Sequence, residues 1–211
     1  MTPGKFITFE GGEGAGKSTQ VMHLAGRLRA RGIEPVQTRE PGGAPGAEDI
    51  RALLVRGSPG RWSPTTEALL HYAARSDHLE LTILPALRQG RWVISDRFAD
   101  STMAYQGYGH ELGRAPIESL HRVVVGDLAP HLTLVLDIPV PEGLKRAAAR
   151  AGKDNRYERM DVAFHERLRQ GFLEIARLES GRCVVVDATR DVDAVAAQVW
   201  AAVESRLLAK G

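Results

Sequence analysis

The sequence contains a single cysteine, Cys183, so no disulfide can form within the chain. This cysteine lies in the apolar run CVVVDA, and we therefore expect a buried structural thiol. No window approaches the roughly 18 consecutive apolar residues of a membrane-spanning helix. The N-terminus, MTPGKFITFEGG, lacks the basic and apolar regions of a targeting segment. These absences predict a cytoplasmic protein without a membrane partner.

An excess of charge of one sign is also missing. The 28 Lys and Arg residues against 26 Asp and Glu residues give a net charge of +2 at pH 7, which does not indicate nucleic acid as a partner. Internal repeats and low-complexity linkers are absent as well. A chain of 211 residues is long enough for one well-packed domain and short for two. We predict a single domain over residues 1–211.

Short apolar runs alternate with segments of helical periodicity along the whole chain. RWVISD and LTLVLDI lack polar alternation, which is typical of parallel strands that are covered on both faces. KFITFE, EPVQT and CVVVDA are the other predicted strands. Helical spacing covers residues 17–31, 48–56, 65–89, 116–127, 140–151, 161–180 and 192–207. This alternation predicts a three-layer α/β fold around a parallel sheet of about five strands. Ligands of such sheets bind at the carboxyl ends of the strands, where the sequence places Gly11, Asp96, Asp137 and Asp187.

A glycine-rich run directly after the first predicted strand fits the P-loop pattern G-x-x-x-x-G-K-[ST]. Glycines allow backbone N–H groups to turn towards a polyphosphate, the lysine charge faces the β- and γ-phosphates, and the serine hydroxyl ligates Mg²⁺. The helix that follows adds the positive end of its dipole. We therefore predict an ATP site formed by Gly11, Gly12, Glu13, Gly14, Ala15, Gly16, Lys17, Ser18 and Thr19.

Several classes of protein use a P-loop. A switch GTPase should carry a guanine-reading Asn-Lys-x-Asp after a late strand, and neither LTLVLDIPV nor CVVVDATRD leads into one. A motor or transporter ATPase would usually be longer. A small phosphotransferase remains, and it needs a second, arginine-rich pocket for its acceptor.

Three further motifs supply such a pocket: TREPGG (38–43), YAARSDH (72–78) and DRFADSTMAYQG (96–107). Together with the P-loop, with GDLAPHLTLVLD and with an arginine-rich segment near residue 150, they resemble bacterial thymidylate kinases from end to end. The resemblance implies a P-loop kinase fold and transfer of the ATP γ-phosphate to dTMP. It also implies Mg²⁺ as cofactor and a homodimer.

The acidic and basic residues of these motifs fit a phosphate site. Asp96 ends an apolar strand, where a carboxylate needs a partner, and a Mg²⁺ shell shared with Ser18 would supply one; a helix-capping role is the alternative. The planar fork of Arg97 suits a phosphate. The family places the arginines that match Arg97 and Arg39 at the acceptor phosphate, although a solvated surface position is the alternative for Arg39.

The resemblance assigns recognition of the base and the sugar to the DRFADSTMAYQG motif and to the predicted helix over 65–89. It implies that Arg75 reaches a thymine carbonyl and that the Tyr105 ring excludes a ribose 2′-hydroxyl. The residues predicted to bind dTMP are Arg39, His71, Arg75, Arg97, Ser101, Thr102, Tyr105 and Gln106. His71 departs from the family, which commonly has a stacking phenylalanine there. We expect Arg75 to keep His71 neutral near pH 7, and dTMP binding to weaken as His71 protonates in mild acid.

A basic cluster lies between the two predicted helices that follow the fourth strand. It comprises Arg146, Arg150, Lys153, Arg156 and Arg159. A solvated helix face is the alternative, but the family has a lid over ATP here, so we predict a lid at about 146–160. Arg146 and Arg150 are predicted to bind ATP. Arg156 best matches the lid arginine and is predicted to be catalytic with Lys17 and Arg97. Asn155, directly before it, departs from the family pattern.

Two other functions are consistent with part of this pattern. A deoxynucleoside kinase also joins a P-loop to a DR motif, but its neutral acceptor hydroxyl needs a carboxylate base. A non-catalytic nucleotide-binding regulator would bind ATP without acceptor-dependent turnover. The arginines of TREPGG and of the long helix favour a phosphorylated acceptor, dTMP, over both.

Overall fold

The computed structural model describes residues 4–149 and 156–208, and the backbone of these residues forms one five-stranded parallel sheet. Its strands are β1 (Phe6–Glu10), β2 (Val36–Arg39), β3 (Val93–Asp96), β4 (Leu132–Asp137) and β5 (Cys183–Asp187). Their order across the sheet is β2-β3-β1-β4-β5. The central strand β1 therefore lies between β3 and β4, so the segments that follow β1 and β3 come out side by side.

Helices connect the strands in the described ranges. They are α1 (Lys17–Ala30), α2 (Pro45–Val55), α3 (Pro64–His78), α4 (Leu84–Arg88), α5 (Ala99–Thr102), α6 (Arg114–Val124), α7 (Val140–Ala148), α8 (Val162–Leu178) and α9 (Val192–Val203). Two of the longer ones begin where an acidic cap satisfies a free backbone N–H: the Asp161 carboxylate accepts from Phe164 N at the start of α8, and Asp191 accepts from Ala194 N at the start of α9.

The segment predicted as one helix over 65–89 is helical throughout but not uniformly α-helical. A π-helical turn, Leu79–Ile83, joins α3 to α4. Pro85, the second residue of α4, has no N–H to donate to the preceding turn, which accounts for the change of hydrogen bonding here. A second π-helical turn, Met103–Gly109, continues α5 and carries the end of the DRFADSTMAYQG motif.

The core has a layer on each face of the sheet. Alternate strand residues such as Ile7, Phe9 and Leu134 pack with α1 and α9 on one face. Phe6 on the other face packs near the π-helical turn after α3, and Val135 packs near α8. The predicted three-layer α/β fold is confirmed, and Cys183 is buried as expected, with burial raising the pKa of its thiol to about 12.

Helices that could cross a membrane are not found in the described ranges, because none combines the required length with sufficient hydropathy.

Candidate active site

The glycine-rich run forms the loop between β1 and α1, as the sequence predicts. At Gly14, where φ is +71°, a β-carbon would lie 1.9 Å from the Gly143 carbonyl oxygen, so only glycine allows α7 to pack this closely. The Lys17 ammonium lies inside the loop and donates to the carbonyl oxygens of Gly11 at 3.0 Å and Gly12 at 2.7 Å. Burial, and next the charge of Arg97, lower the pKa of Lys17 to about 8. A bound polyphosphate would therefore stabilise the charged form of this lysine.

A hydroxyl and a carboxylate meet at the start of α1. The Ser18 hydroxyl donates to Asp96 Oδ2 at 2.5 Å, because β1 and β3 are neighbours and deliver the two residues to the same edge of the sheet. Two oxygen ligands of this kind fit Mg²⁺, which retains waters and uses substrate phosphates as further ligands. No cluster of three or more His, Cys, Asp or Glu side chains suited to a metal occurs in the described residues. The donor set thus fits a Mg²⁺ that arrives with a nucleotide.

Arg97 follows Asp96 with an unusual backbone conformation for a non-glycine residue, φ +73°. Its Nη1 donates to Gly11 O and to Ser101 Oγ, both at 3.0 Å, and its Nη2 donates to the Tyr105 hydroxyl at 2.8 Å. Nη2 also lies 3.3 Å from Glu13 Oε1. The guanidinium is therefore fixed between the P-loop and the segment predicted to bind the acceptor.

Glu13 of the P-loop completes this network. The Tyr105 hydroxyl donates to Glu13 Oε1 at 2.6 Å. Burial alone would raise the pKa of Glu13, but the charges of Arg97 and Lys17 and the bond from Tyr105 outweigh it and lower the pKa. Glu13 is thus an anion that holds two of the predicted site residues, Arg97 and Tyr105.

Glu10 is a buried carboxyl that the sequence analysis did not single out. It accepts from Phe98 N at 2.8 Å and from Ser101 Oγ at 2.5 Å, directly behind Arg97. Burial, and next the charge of Asp100, raise its pKa to about 8. Glu10 therefore holds the strained turn at Arg97 through Phe98 and Ser101. Its position at the end of β1 was the only feature of the sequence that could have indicated this role.

One cavity of about 400 Å³ opens in front of these groups. It is lined by Glu13, Gly14, Gly16, Lys17, Ser18, Arg39, Glu40, Pro41, Arg51, Val55, His71, Asp96, Arg97, Ser101, Tyr105, Gln106, Ala147, Tyr157 and Glu158. Most residues predicted for the P-loop and for the acceptor pocket thus meet in a single space. Asp137 and Asp187, which also end strands, do not line it: Asp137 pairs with Arg169 at 2.7 Å, and Asp187 accepts from Thr189.

Two arginines line the cavity from the region of TREPGG and α2. Arg39 pairs with Glu48 at 3.0 Å and remains more than half exposed. Arg51 donates to Pro41 O at 2.6 Å, and burial and the charge of Arg39 lower its pKa. Arg51 was not predicted, since a single arginine within a helix carries no local signal; the placement of α2 brings it here.

Arg75 and Thr102 do not line the cavity. The Arg75 guanidinium is buried, and it donates to Glu40 Oε2 at 2.8 Å, Thr102 Oγ1 at 2.9 Å and Phe98 O at 3.1 Å. Its Nη1 has no partner in the described part of the chain. Thr102 accepts from Arg75. The predicted contacts of Thr102 and Arg75 with dTMP stay predictions.

Glu40 links that arginine to a buried histidine. Its Oε1 lies 3.1 Å from His78 Nδ1, and His78 Nε2 lies 2.6 Å from Thr38 Oγ1. Burial would raise the pKa of Glu40, but Arg75 and His78 outweigh it and lower the pKa. The glutamate of TREPGG, to which the sequence analysis gave no role, is thus an anion that fixes Arg75.

His71 lies on the cavity wall and is half-buried, with Nε2 3.1 Å from the Tyr157 hydroxyl. Burial is the main cause that lowers its pKa, the charge of Arg75 is the next, and the pKa falls to about 3. The expected neutral state is therefore supported. The expected titration in mild acid is corrected, since burial, which the sequence did not reveal, moves the pKa far below that range.

Comparisons with known proteins decide the family. A profile of the thymidylate kinase family matches residues 9–199. The thymidylate kinase of Caulobacter vibrioides is 57% identical over 207 residues, covering 98% of this chain and 99% of that protein. The thymidylate kinase of Nitrobacter winogradskyi is 52% identical over 97% of this chain and 90% of that protein. The crystal structure of thymidylate kinase from Ehrlichia chaffeensis superposes with a TM-score of 0.76 at 34% identity, covering 96% of this chain and 99% of that one.

This chain belongs to the thymidylate kinase family.

Family membership confirms the resemblance read from the motifs, and the sheet order and P-loop confirm the P-loop kinase fold. The roles of individual residues in this chain stay predictions. Thr19 lies in the first turn of α1, Gly12 and Ala15 lie in the loop before it, and their predicted contacts with ATP stay predictions.

Arg146 and Arg156, two predicted lid arginines within the described ranges, do not lie over the P-loop. Arg146 donates to Ala188 O at 2.8 Å and pairs with Glu142 at 2.5 Å. Arg150, like Lys153, lies outside the described residues. Arg156 is fully buried and pairs with Glu67 at 2.5 Å, so it does not line the cavity with Lys17. The geometry therefore gives no support to the predicted catalytic role of Arg156.

Proposed function

We propose that this member of the thymidylate kinase family transfers the γ-phosphate of ATP to dTMP and yields dTDP and ADP, a step in the synthesis of DNA precursors. One observation carries the proposal. A P-loop lysine and serine share one cavity of about 400 Å³ with three arginines, Arg39, Arg51 and Arg97. This arrangement suits two polyanions that must be held against each other.

The reaction needs no covalent intermediate. The acceptor phosphate is largely a dianion near neutral pH, because its second pKa is about 6. One of its oxygens attacks the γ-phosphorus in line, the bond from that phosphorus to the bridging oxygen breaks, and ADP leaves. The protein contributes position and charge rather than a general base.

Arg97 is the group best placed to stabilise the charge that develops between the ATP γ-phosphate and the acceptor phosphate. It is bonded to the P-loop carbonyl of Gly11 and to Ser101 in the acceptor segment. Because Glu13 and Tyr105 fix its other edge, little reorganisation is needed when charge develops on the transferred group. Lys17, whose ammonium donates to the same Gly11 carbonyl, neutralises the β- and γ-phosphate oxygens.

Ser18 and Asp96 would hold Mg²⁺ in this proposal. Bound there with ATP, the cation supplies charge stabilisation at the phosphate oxygens. Their 2.5 Å hydrogen bond brings the hydroxyl and the carboxylate together in advance.

Acceptor recognition follows from the other wall of the cavity. Arg39 and Arg51 are available to the acceptor phosphate, and Gln106 has a buried carbonyl oxygen without a partner in the described residues. The His71 ring can stack on a pyrimidine, and the Tyr105 ring can exclude a 2′-hydroxyl by volume. These groups favour a deoxypyrimidine monophosphate.

A homodimer and a cytoplasmic location, both expected from the sequence, belong to the same proposal. Large apolar side chains are exposed on helices that pack against one another: Leu53 on α2, Leu69 on α3 and Val123 on α6. Sedimentation equilibrium of the wild type and of Leu69→Glu tests whether this helical layer is a dimer interface. A monomeric wild type would contradict it.

A coupled assay of ADP release over a panel of nucleoside monophosphates, with thymidine included, tests the activity. We expect dTMP to be the preferred acceptor and thymidine to be inactive. Turnover with thymidine would instead indicate a deoxynucleoside kinase, and ATP binding without turnover on any acceptor would indicate a regulator.

A further inference from the structure

Arg156 occupies a place that its position in a basic cluster does not suggest. It begins a short 3₁₀ turn, Arg156–Arg159, and its side chain is fully buried. Its Nε donates to Leu54 O at the end of α2, at 2.5 Å, and its Nη2 pairs with Glu67 Oε1 on α3, also at 2.5 Å. One side chain therefore fastens the turn to two helices at once.

Glu67 is equally buried and is shared between the turn and the acceptor pocket. Its Oε2 accepts from the Tyr157 hydroxyl and from Gln106 Nε2, both at 3.1 Å, and His110 Nε2 lies 3.5 Å away. Burial would raise the pKa of Glu67, but His110 and Arg156 outweigh it and lower the pKa to about 2. A buried carboxylate this well compensated remains charged, and removing its arginine would leave an uncompensated anion.

Tyr157 carries the connection into the cavity. Its hydroxyl accepts from Arg156 Nη2 at 3.1 Å and lies 3.1 Å from His71 Nε2, while the ring packs edge-on to Tyr105 with centroids 5.2 Å apart. Tyr157, His71 and Tyr105 all line the 400 Å³ cavity. The wall that meets an acceptor base and sugar is therefore built partly from the turn that Arg156 holds.

We propose that Arg156 is a positioning residue for the acceptor nucleotide, which latches the 3₁₀ turn onto α2 and α3 through Glu67 and so sets the position of Tyr157 in the acceptor pocket. This inference rests on the proposed function. It assigns Arg156 to acceptor affinity and replaces the catalytic role predicted from the sequence. A lid arginine that stabilises the transferred phosphoryl group would lower kcat, whereas a latch changes the binding of dTMP.

The test compares Arg156→Met, Glu67→Gln and the double variant with the wild type, using calorimetric binding of dTMP without ATP and steady-state kinetics. We expect each single variant to raise the Kd for dTMP about tenfold and to keep kcat at saturating substrates within about threefold. The double variant should bind no more weakly than the weaker single variant, because each change breaks the same contact. Arg177→Ala and Glu174→Gln, which break an exposed arginine–glutamate pair on α8, are the matched controls and should leave both values unchanged.

Two results would overturn the inference. One is a fall in kcat of about 100-fold or more in Arg156→Met with unchanged dTMP affinity and a normal Glu67→Gln variant. The other is wild-type affinity in all three variants. If Arg156→Met does not fold, as judged by thermal unfolding, Arg156→Lys keeps the charge but loses the paired geometry and is judged by the same two values. A wild type that binds dTMP but fails to phosphorylate it would overturn the proposed function alone.

Discussion

Replacing Tyr105 with phenylalanine separates two roles that the structure gives to one side chain. The ring packs edge-on to Tyr157, Phe164 and Phe172 at centroid distances of 5.2, 6.2 and 6.3 Å, and the substitution preserves this packing. The hydroxyl accepts from Arg97 at 2.8 Å and donates to Glu13 at 2.6 Å, and the substitution removes both bonds. A hydrogen bond to a charged group contributes about 1.5–3 kcal/mol.

We therefore expect Tyr105→Phe to lower kcat/KM for dTMP by about 10- to 100-fold, which is the effect of losing one such bond. The loss is no larger because Arg97 keeps its bonds to Gly11 O and Ser101 and its direct pairing with Glu13. The preference for deoxyribose over ribose acceptors should not change, since it depends on ring volume, whereas Tyr105→Ala should relax it.

The assay measures kcat/KM for dTMP and for its ribose counterpart in the same preparations. Tyr108→Phe is the matched control, because the Tyr108 hydroxyl also accepts from an arginine, Arg114 at 3.0 Å, but that arginine does not line the cavity. Unchanged kcat/KM in a folded Tyr105→Phe enzyme would refute the reasoning. A changed deoxyribose preference in that variant would place sugar selection on the hydroxyl instead.

Three further predictions concern single side chains of the cavity. Lys17→Ala should reduce kcat by about 10²–10³ or more while circular dichroism shows an intact fold, and near-normal turnover would contradict the P-loop assignment. Arg51→Ala should raise the KM for dTMP about tenfold with little effect on the KM for ATP, whereas the exposed Arg56→Ala should change neither; an effect on ATP alone would place Arg51 at the donor. Burial and Arg75 lower the pKa of His71 to about 3. The affinity for dTMP, corrected for titration of dTMP itself, should therefore have the same pH profile between about pH 6 and 8 in the wild type and in His71→Phe. His71→Ala should weaken dTMP binding by about 1–2 kcal/mol. An inflection that His71→Phe abolishes would show that His71 titrates there.

The fold could be predicted because its signals are local. Uniformly apolar runs separated by helical segments specify a parallel sheet, and the P-loop motif specifies where β1 meets α1. The order β2-β3-β1-β4-β5 then places Asp96 beside the P-loop serine, as the strand-end rule anticipates. The π-helical turns were not predicted, because hydrophobic periodicity cannot resolve a single wider turn within a continuous helix.

The site was predicted less completely, because the sequence does not reveal which polar side chains become buried. Arg75 and Arg156 were both assigned to ligands from motif positions, yet each is almost fully buried and paired with a glutamate that the motifs left without a role. Arg51 was missed for the converse reason: nothing local distinguishes it from a solvated helix residue, and it faces the cavity only because of where α2 packs. The pKa of His71 is also lower than predicted, since burial lowers it more than the charge of Arg75 does.

The two buried arginine–glutamate pairs explain how a cavity rich in cations can keep a defined shape. Arg39, Arg51, Arg97 and Lys17 repel one another when no phosphate is present, and the lowered pKa values of Lys17 and Arg51 register this repulsion along with burial. Side chains that must remain available to ligands cannot be fixed by strong pairing among themselves. The walls are fixed instead by carboxylates placed one layer behind: Glu40 holds Arg75, and Glu67 holds Arg156. Because a buried, paired carboxylate is costly to leave without its partner, each of these pairs resists rearrangement more strongly than an exposed one. The glutamates therefore determine geometry, and the arginines in front of them are left to determine affinity.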